Sequence, residues 1–150
     1  MADGATLGRD ELASLVPHGG SMCLLDAVRY WDDGRIECLA HNQADVANPL
    51  RADGRLHAVN TVEYAAQAMA VHGGLVDGSA GGRPGMLVSV RNVRWRAQWL
   101  ENRRGPLKVN CRRLGADNTG VMFEFEVTDG DGPVATGRGM IAFPEGGAVE

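Results

Sequence analysis

The chain has 150 residues, of which 44% are hydrophobic, so it is long enough for one domain with a substantial core and short for two. We therefore predict a single domain over residues 1–150. The formal net charge of −4 argues against a nucleic-acid-binding protein, because such proteins need a basic surface to displace counterions from phosphates.

The N-terminal part predicts a short helix and a hairpin. In "RDELASLVPHGG", Asp10 is a candidate N-cap and Pro17 ends the helix. In "SMCLLDAVRYWDDGRIECLAHN", two strand-like runs meet at Asp33-Gly34, and this dipeptide favours a hairpin because both residues tolerate positive φ. The next stretch, "QADVANPLRADGR", predicts a loop.

A long helix is predicted from about residue 58 to 72, in "LHAVNTVEYAAQAMAVHGGL", with Gly73 and Gly74 as its stop. Its side chains are mostly small and apolar, which predicts a buried helix. One carboxylate, Glu63, lies among them. An unpaired charge in apolar surroundings is costly, so we predict that Glu63 has a partner.

Four more strands are predicted in the C-terminal half, and the last three form an antiparallel meander because "GADNTG" and "DGDG" separate them. A sheet of five to six strands with one apolar helix predicts an α+β hotdog fold, in which the sheet wraps the helix. The first of the four, "MLVSVRNVRWRA", is the candidate edge strand for pairing with a second subunit.

The three cysteines, Cys23, Cys38 and Cys111, are odd in number and lack paired metal-ligand spacings, so we predict reduced core thiols. The chain starts without the pattern of a signal peptide, and it has no run of about 18 apolar residues. These features predict a cytoplasmic protein that makes no contact with membranes.

Two blocks carry a resemblance to a family. "LVPHGGSMCLLDAV" resembles the opening of hotdog 3-hydroxyacyl-carrier-protein dehydratases, and "VEYAAQAMAVHGGL" resembles their central helix, in which a catalytic acid is followed by "AQA". The resemblance covers roughly residues 12 to 143. The text "EYxAQA" and "HxGL" also resembles a dehydratase-like branch associated with aryl-polyene pigment clusters.

The resemblance implies removal of water from a 3-hydroxyacyl thioester in fatty-acid or polyketide-type biosynthesis. The substrate would be held by an acyl carrier protein, without metal or dissociable cofactor, and the enzyme would be a hotdog homodimer or heterodimer. Glu63 matches the catalytic acid. The fatty-acid enzymes have a catalytic histidine 14 residues before the acid, where this chain has Pro49. We therefore predict His57 as the base, because imidazole titrates near neutral pH.

Three further residues are predicted to contact substrate. Helical spacing places Asn60 and Gln67 on the face of Glu63. His18, in the matched "PHGG" block, is predicted to hold a turn or line the entrance. Two alternatives remain open: Glu63 could cap the first helical turn, and His57 could be an ordinary residue before the helix.

A cationic concentration in this acidic chain predicts a docking surface for an acidic acyl carrier protein. Its candidate residues are Arg94, Arg96, Arg103 and Arg104. The alternative is a solvated sheet face.

Two other functions compete with dehydration. A hotdog thioesterase needs a helix carboxylate to activate water. A non-catalytic partner subunit, which lacks the base, would complete the tunnel of an active dehydratase chain.

Overall fold

The computed structural model describes residues 7–13, 23–77 and 86–142. Within these ranges, six strands form a single antiparallel sheet in the order β1-β2-β4-β5-β6-β3. The helices are α1 (Arg9–Ala13) and α2 (Thr61–Asp77), and the strands are β1 (Ala27–Asp32), β2 (Arg35–Ala40), β3 (Met86–Trp95), β4 (Leu107–Ala116), β5 (Val121–Asp129) and β6 (Gly132–Ala142).

The predicted turns are confirmed. β1 and β2 form a hairpin around Asp33-Gly34, and its turn is fixed by Asp32, whose Oδ1 accepts hydrogen bonds from the N–H groups of Gly34 at 2.8 Å and Arg35 at 3.0 Å. β4, β5 and β6 are consecutive neighbours in the sheet, which is the predicted meander.

Helix α2 packs against one face of the sheet, and its residues Tyr64 and Met69 lie in one buried core with Phe125 of β5. One glycine of β6 allows this close approach, and another leaves room for a core side chain of the neighbouring strand. A Cβ atom at Gly139 would lie 3.0 Å from Met69 Cε, and one at Gly137 would lie 2.8 Å from Phe125 Cζ. A long helix held against a six-stranded antiparallel sheet confirms the predicted α+β hotdog fold.

The predicted end of the helix is wrong, because α2 continues through Gly73 and Gly74 to Asp77. Each glycine in a helix interior costs about 1 kcal/mol relative to alanine. Leu75 and Val76, just beyond the glycines, pack against the core, and their burial offsets that cost. No helix in the described ranges has the length and hydropathy needed to cross a bilayer.

The two edges of the sheet differ. The β1 edge is partly covered by Leu7, which exchanges two backbone hydrogen bonds with Val28, at 3.1 and 3.0 Å. β3 is the other edge, as predicted for its sequence, and it carries the exposed apolar side chains of Met86 and Val88, which are 57% and 55% exposed. Its pairing with a second chain stays a prediction.

The three cysteines are buried and free, as predicted. Burial raises the pKa of each thiol above its ordinary value. They are therefore un-ionised side chains of the core.

Candidate active site

The chain reaches α2 through a short paired segment. Ala58 N–H donates to the carbonyl of Gln98 at 2.7 Å, and Leu100 N–H donates to the carbonyl of Leu56 at 2.8 Å. A single 3₁₀ turn, Ala58–Asn60, then leads directly into Thr61, the first residue of α2. The start of the helix is thus fixed to the segment that follows β3.

His57 caps this turn. Its Nδ1 atom accepts a hydrogen bond from Val59 N–H at 2.9 Å, and its ring packs edge-on against Trp99 with 5.0 Å between ring centroids. Because Nδ1 uses its lone pair in the cap, the neutral ring carries its proton on Nε2. Nε2 is then a hydrogen-bond donor, whereas a general base needs a free lone pair. The catalytic role of His57 stays a prediction.

The neighbours of Trp99 brace the same segment. The Arg55 guanidinium stacks over the Trp99 ring at 3.9 Å from its centroid and pairs with Glu101 at 2.8 Å. Glu101 also accepts a hydrogen bond from Leu56 N–H at 2.9 Å. Burial opposes ionisation of Glu101, but the Leu56 N–H and Arg55 outweigh it and lower the pKa of Glu101 to about 2.

Glu63 is the third residue of α2, and its carboxylate is exposed in the single chain. No hydrogen bond or ion pair joins it to another residue of the described ranges. The side of the helix that carries Glu63 and Val59, which is 50% exposed, is therefore not covered by the sheet. We expected burial there. Helical periodicity identifies residues that share a face, but it does not say what covers that face.

The other predicted substrate contacts have structural partners or lie outside the described ranges. Asn60 Nδ2 donates to the carbonyl of His57 at 3.1 Å. Gln67 is buried, and its Oε1 accepts from Leu24 N–H at 2.8 Å, which ties α2 to the segment before β1. His18 lies outside the described residues. Substrate contact by these three residues stays a prediction.

Tyr64 holds α2 against the preceding loop. Its hydroxyl donates to Asn42 Oδ1 at 2.7 Å and accepts from Asn48 Nδ2 at 3.0 Å. Burial raises the pKa of Tyr64 to about 12, so the hydroxyl keeps its proton. We predicted no role for Tyr64 from the sequence, although it directly follows Glu63 in the matched block.

Asp26 and His41, for which we also predicted no role from the sequence, meet at a polar cleft of about 370 Å³. Asp26 pairs with Arg9 of α1 at 2.8 Å and accepts from the backbone N–H of His41 at 2.6 Å. The aspartate of the matched "LLD" text therefore joins α1 to the start of β1 and the end of β2. Neither Glu63 nor His57 lines this cleft.

The predicted docking arginines fall into two groups. Arg103 pairs with Asp129, whose side chain is fully buried, and Arg104 pairs with Asp131, both at 2.7 Å. Arg94, near the end of β3, and Arg96, just after it, are exposed. The docking role of all four stays a prediction.

Comparison with known proteins identifies the family. A family model described as "ApeP-like: ApeP dehydratase" matches residues 10–148. One similar solved structure is the dehydratase heterocomplex ApeI:P from Xenorhabdus doucetiae. It is 27% identical with a TM-score of 0.78, and the match covers 93% of this chain and 92% of that chain. No curated protein sequence matches the chain.

Two solved thioesterases share the fold. A mutant of thioesterase PA1618 from Pseudomonas aeruginosa is 18% identical with a TM-score of 0.65, covering 95% of this chain and 98% of that one. Thioesterase HI1161 from Haemophilus influenzae is 14% identical with a TM-score of 0.62, covering 100% and 99%. Identities this low show a shared hotdog fold and nothing about activity. The family match, by contrast, spans nearly the whole sequence, and the chain therefore belongs to the ApeP-like dehydratase family.

Proposed function

We propose that the chain is the acid-bearing subunit of a dehydratase that removes water from a 3-hydroxyacyl thioester held on an acyl carrier protein. In this proposal, a second hotdog chain completes the active site. The observation that carries it is Glu63, a carboxylate at the start of a mostly buried helix, exposed and without a partner in the described residues. It occupies the position of the catalytic acid in the sequence block that resembles the dehydratase helix.

The reaction needs two groups. A base removes the proton α to the thioester carbonyl, and an acid protonates the hydroxyl that leaves as water. We assign the acid to Glu63. The carboxylic acid form of this side chain can donate that proton.

The base comes from the second chain. His57 is the histidine that lies nearest to Glu63 in the sequence, and its Nδ1 lone pair is used by Val59 N–H. Pro49 stands where the fatty-acid enzymes have their histidine. A chain that has the acid but shows no free base beside it among the described residues is suited to a composite site. The related ApeI:P dehydratase is a heterocomplex, which supports this arrangement.

The β3 edge is the surface we propose for pairing with that chain. Within the part of the chain that the structure describes, no strand pairs with the outer side of its ten residues, and Trp95 at its end is 40% exposed. A long edge strand with exposed apolar side chains favours association, because pairing satisfies its N–H and C=O groups and buries those side chains. The β1 edge is less available because Leu7 covers part of it.

The test is an assay with 3-hydroxyacyl and enoyl thioesters of a carrier protein. The chain would be assayed alone and after co-expression with a hotdog protein encoded in the same gene cluster. We expect interconversion of the two thioesters by the co-expressed pair and little by the chain alone. Release of free acid would show a thioesterase instead, and no reaction by the pair would contradict the proposal.

A further inference from the structure

An unusual set of charges lies where β3 meets β6. Arg91 of β3 and Arg138 of β6 are directly opposite each other in the sheet. Arg94 of β3 is opposite Thr136, which precedes Arg138 by two residues in β6. All three arginines are exposed. We call Arg91, Arg94 and Arg138 the arginine face.

The arginine face lies on the outer side of the sheet, away from the helix. In β6, Gly137 and Gly139 face inward, where added Cβ atoms would meet Phe125 and Met69. Residues alternate between faces along a strand, so Arg138 and Thr136 point outward. Directly opposed residues on neighbouring strands share a face, which places Arg91 and Arg94 on the same outer side.

These three guanidinium groups have no acidic partner in the described chain. Glu124 of β5 is opposite Arg138, but its carboxylate pairs with Arg112 of β4 at 2.6 Å. Glu126, the next outward acid of β5, forms no ion pair with any of them among the described residues. Like charges placed directly opposite each other destabilise a sheet. The fold itself therefore gains nothing from the Arg91 and Arg138 pair.

The charge is also local, since the whole chain carries a formal net charge of −4. An acidic protein is repelled on average by extended polyanions such as nucleic acid or an anionic bilayer. A compact group of three arginines suits a discrete acidic patch instead. The planar guanidinium is well matched to carboxylates, which it binds through two parallel hydrogen bonds.

We propose that the arginine face is the docking surface for an acidic face of the carrier protein that brings the substrate. This inference rests on the proposed function and names the surface through which the carrier binds. It also modifies the expectation from the sequence. Arg94 remains in the surface, whereas Arg103 and Arg104 already have the internal partners Asp129 and Asp131.

The arginine face adjoins the β3 edge. Arg91 and Arg94 lie on the edge strand itself, and Arg138 lies on its neighbour. If β3 pairs with a second hotdog chain, the arginine face lies beside that junction. A carrier bound there would lie next to the second chain.

The experiment compares two forms of the same substrate, one on the carrier protein and one on free pantetheine. The variants are the double charge reversal Arg91→Glu/Arg138→Glu and the single Arg94→Glu. For each, we expect kcat/KM on the carrier-bound thioester to fall about tenfold or more, because these charges act on encounter and orientation. On the pantetheine thioester we expect no change. Arg29→Glu, at an exposed arginine near the opposite edge of the sheet, is the matched control and should leave both values unchanged.

A direct binding measurement separates this inference from the proposed function. Fluorescence anisotropy of labelled holo-carrier should show binding to the wild-type pair, weakened by added salt and by the charge reversals, whether or not the pair dehydrates the substrate. Equal loss of activity on both substrates, or unchanged carrier binding in the reversals, would overturn the docking surface. If the charge reversals abolish binding to anionic vesicles but leave carrier binding unchanged, the docking surface is also overturned, and the arginine face is a membrane-binding surface instead.

Discussion

The Nδ1 atom of His57 accepts a hydrogen bond from the backbone N–H of Val59 at 2.9 Å, so this side chain caps the turn that begins the central helix. Glu63, the third residue of α2, presents its carboxylate to solvent. The placement of the proposed acid thus depends on a histidine that we first predicted as the base.

The cap predicts different effects for two substitutions of His57. His57→Ala removes the acceptor for Val59 N–H and should lower the free energy of unfolding by about 1 kcal/mol. His57→Asn keeps a side-chain acceptor suited to an N-cap and should lower the free energy of unfolding by only a few tenths as much. Urea unfolding of the two variants and the wild type measures the difference.

The same variants test whether His57 acts as the catalytic base. If the second chain supplies the base, His57→Asn should keep turnover by the pair within about tenfold of wild type. A loss of about 10²-fold or more, with stability near wild type, would return the role of base to His57.

Two neighbouring ion pairs should differ in their contribution to stability. The Asp129 side chain is fully buried against Arg103, whereas Asp131 and Arg104 are 32% and 80% exposed. Asp129→Asn should cost about 3–5 kcal/mol, because it leaves a partly buried guanidinium without its counter-charge. Asp131→Asn should cost much less, because solvent screens this exposed pair. Similar losses in the two variants, measured by urea unfolding, would contradict this ranking.

Glu101 predicts a dependence of stability on pH in the acid range. Its pKa is about 2 in the folded chain, against an ordinary value of 4.5. Between these values the unfolded chain binds the proton first, so the free energy of unfolding falls as the pH is lowered. The contribution of Glu101 to stability is complete above its ordinary pKa. It is lost as the pH falls through its pKa in the folded chain.

Glu101→Gln removes this dependence. The variant should be less stable than wild type at about pH 7, and the gap should narrow at about pH 3. Urea unfolding at both pH values gives the comparison. A gap of constant size would show that the carboxylate does not couple to protons in this way.

Features that depend on local sequence could be predicted well. The Asp33-Gly34 hairpin, the meander of β4 to β6 and the edge position of β3 all follow from turn residues and strand patterns. The end of α2 could not be predicted from Gly73 and Gly74, because the packing of Leu75 and Val76 against distant strands decides it.

The site was harder to predict for a similar reason. Glu63 could be selected from its place in the helix, but its exposure depends on which side of the helix the sheet leaves open. The pairs Arg103 with Asp129 and Arg104 with Asp131 join residues far apart in the sequence. Sequence charge alone therefore overestimated the cations available for docking.

The most direct test of the account is Glu63→Gln in the co-expressed pair, assayed for interconversion of 3-hydroxyacyl and enoyl thioesters. Glutamine keeps the volume and cannot donate the proton, so turnover should fall by about 10²-fold or more. Since the carboxylate is exposed in the single chain, unfolding of this chain by urea should be unchanged. Glu126→Gln, at an exposed outer residue of β5, is the control and should keep full activity. Turnover of the Glu63→Gln pair at the wild-type rate would contradict the account.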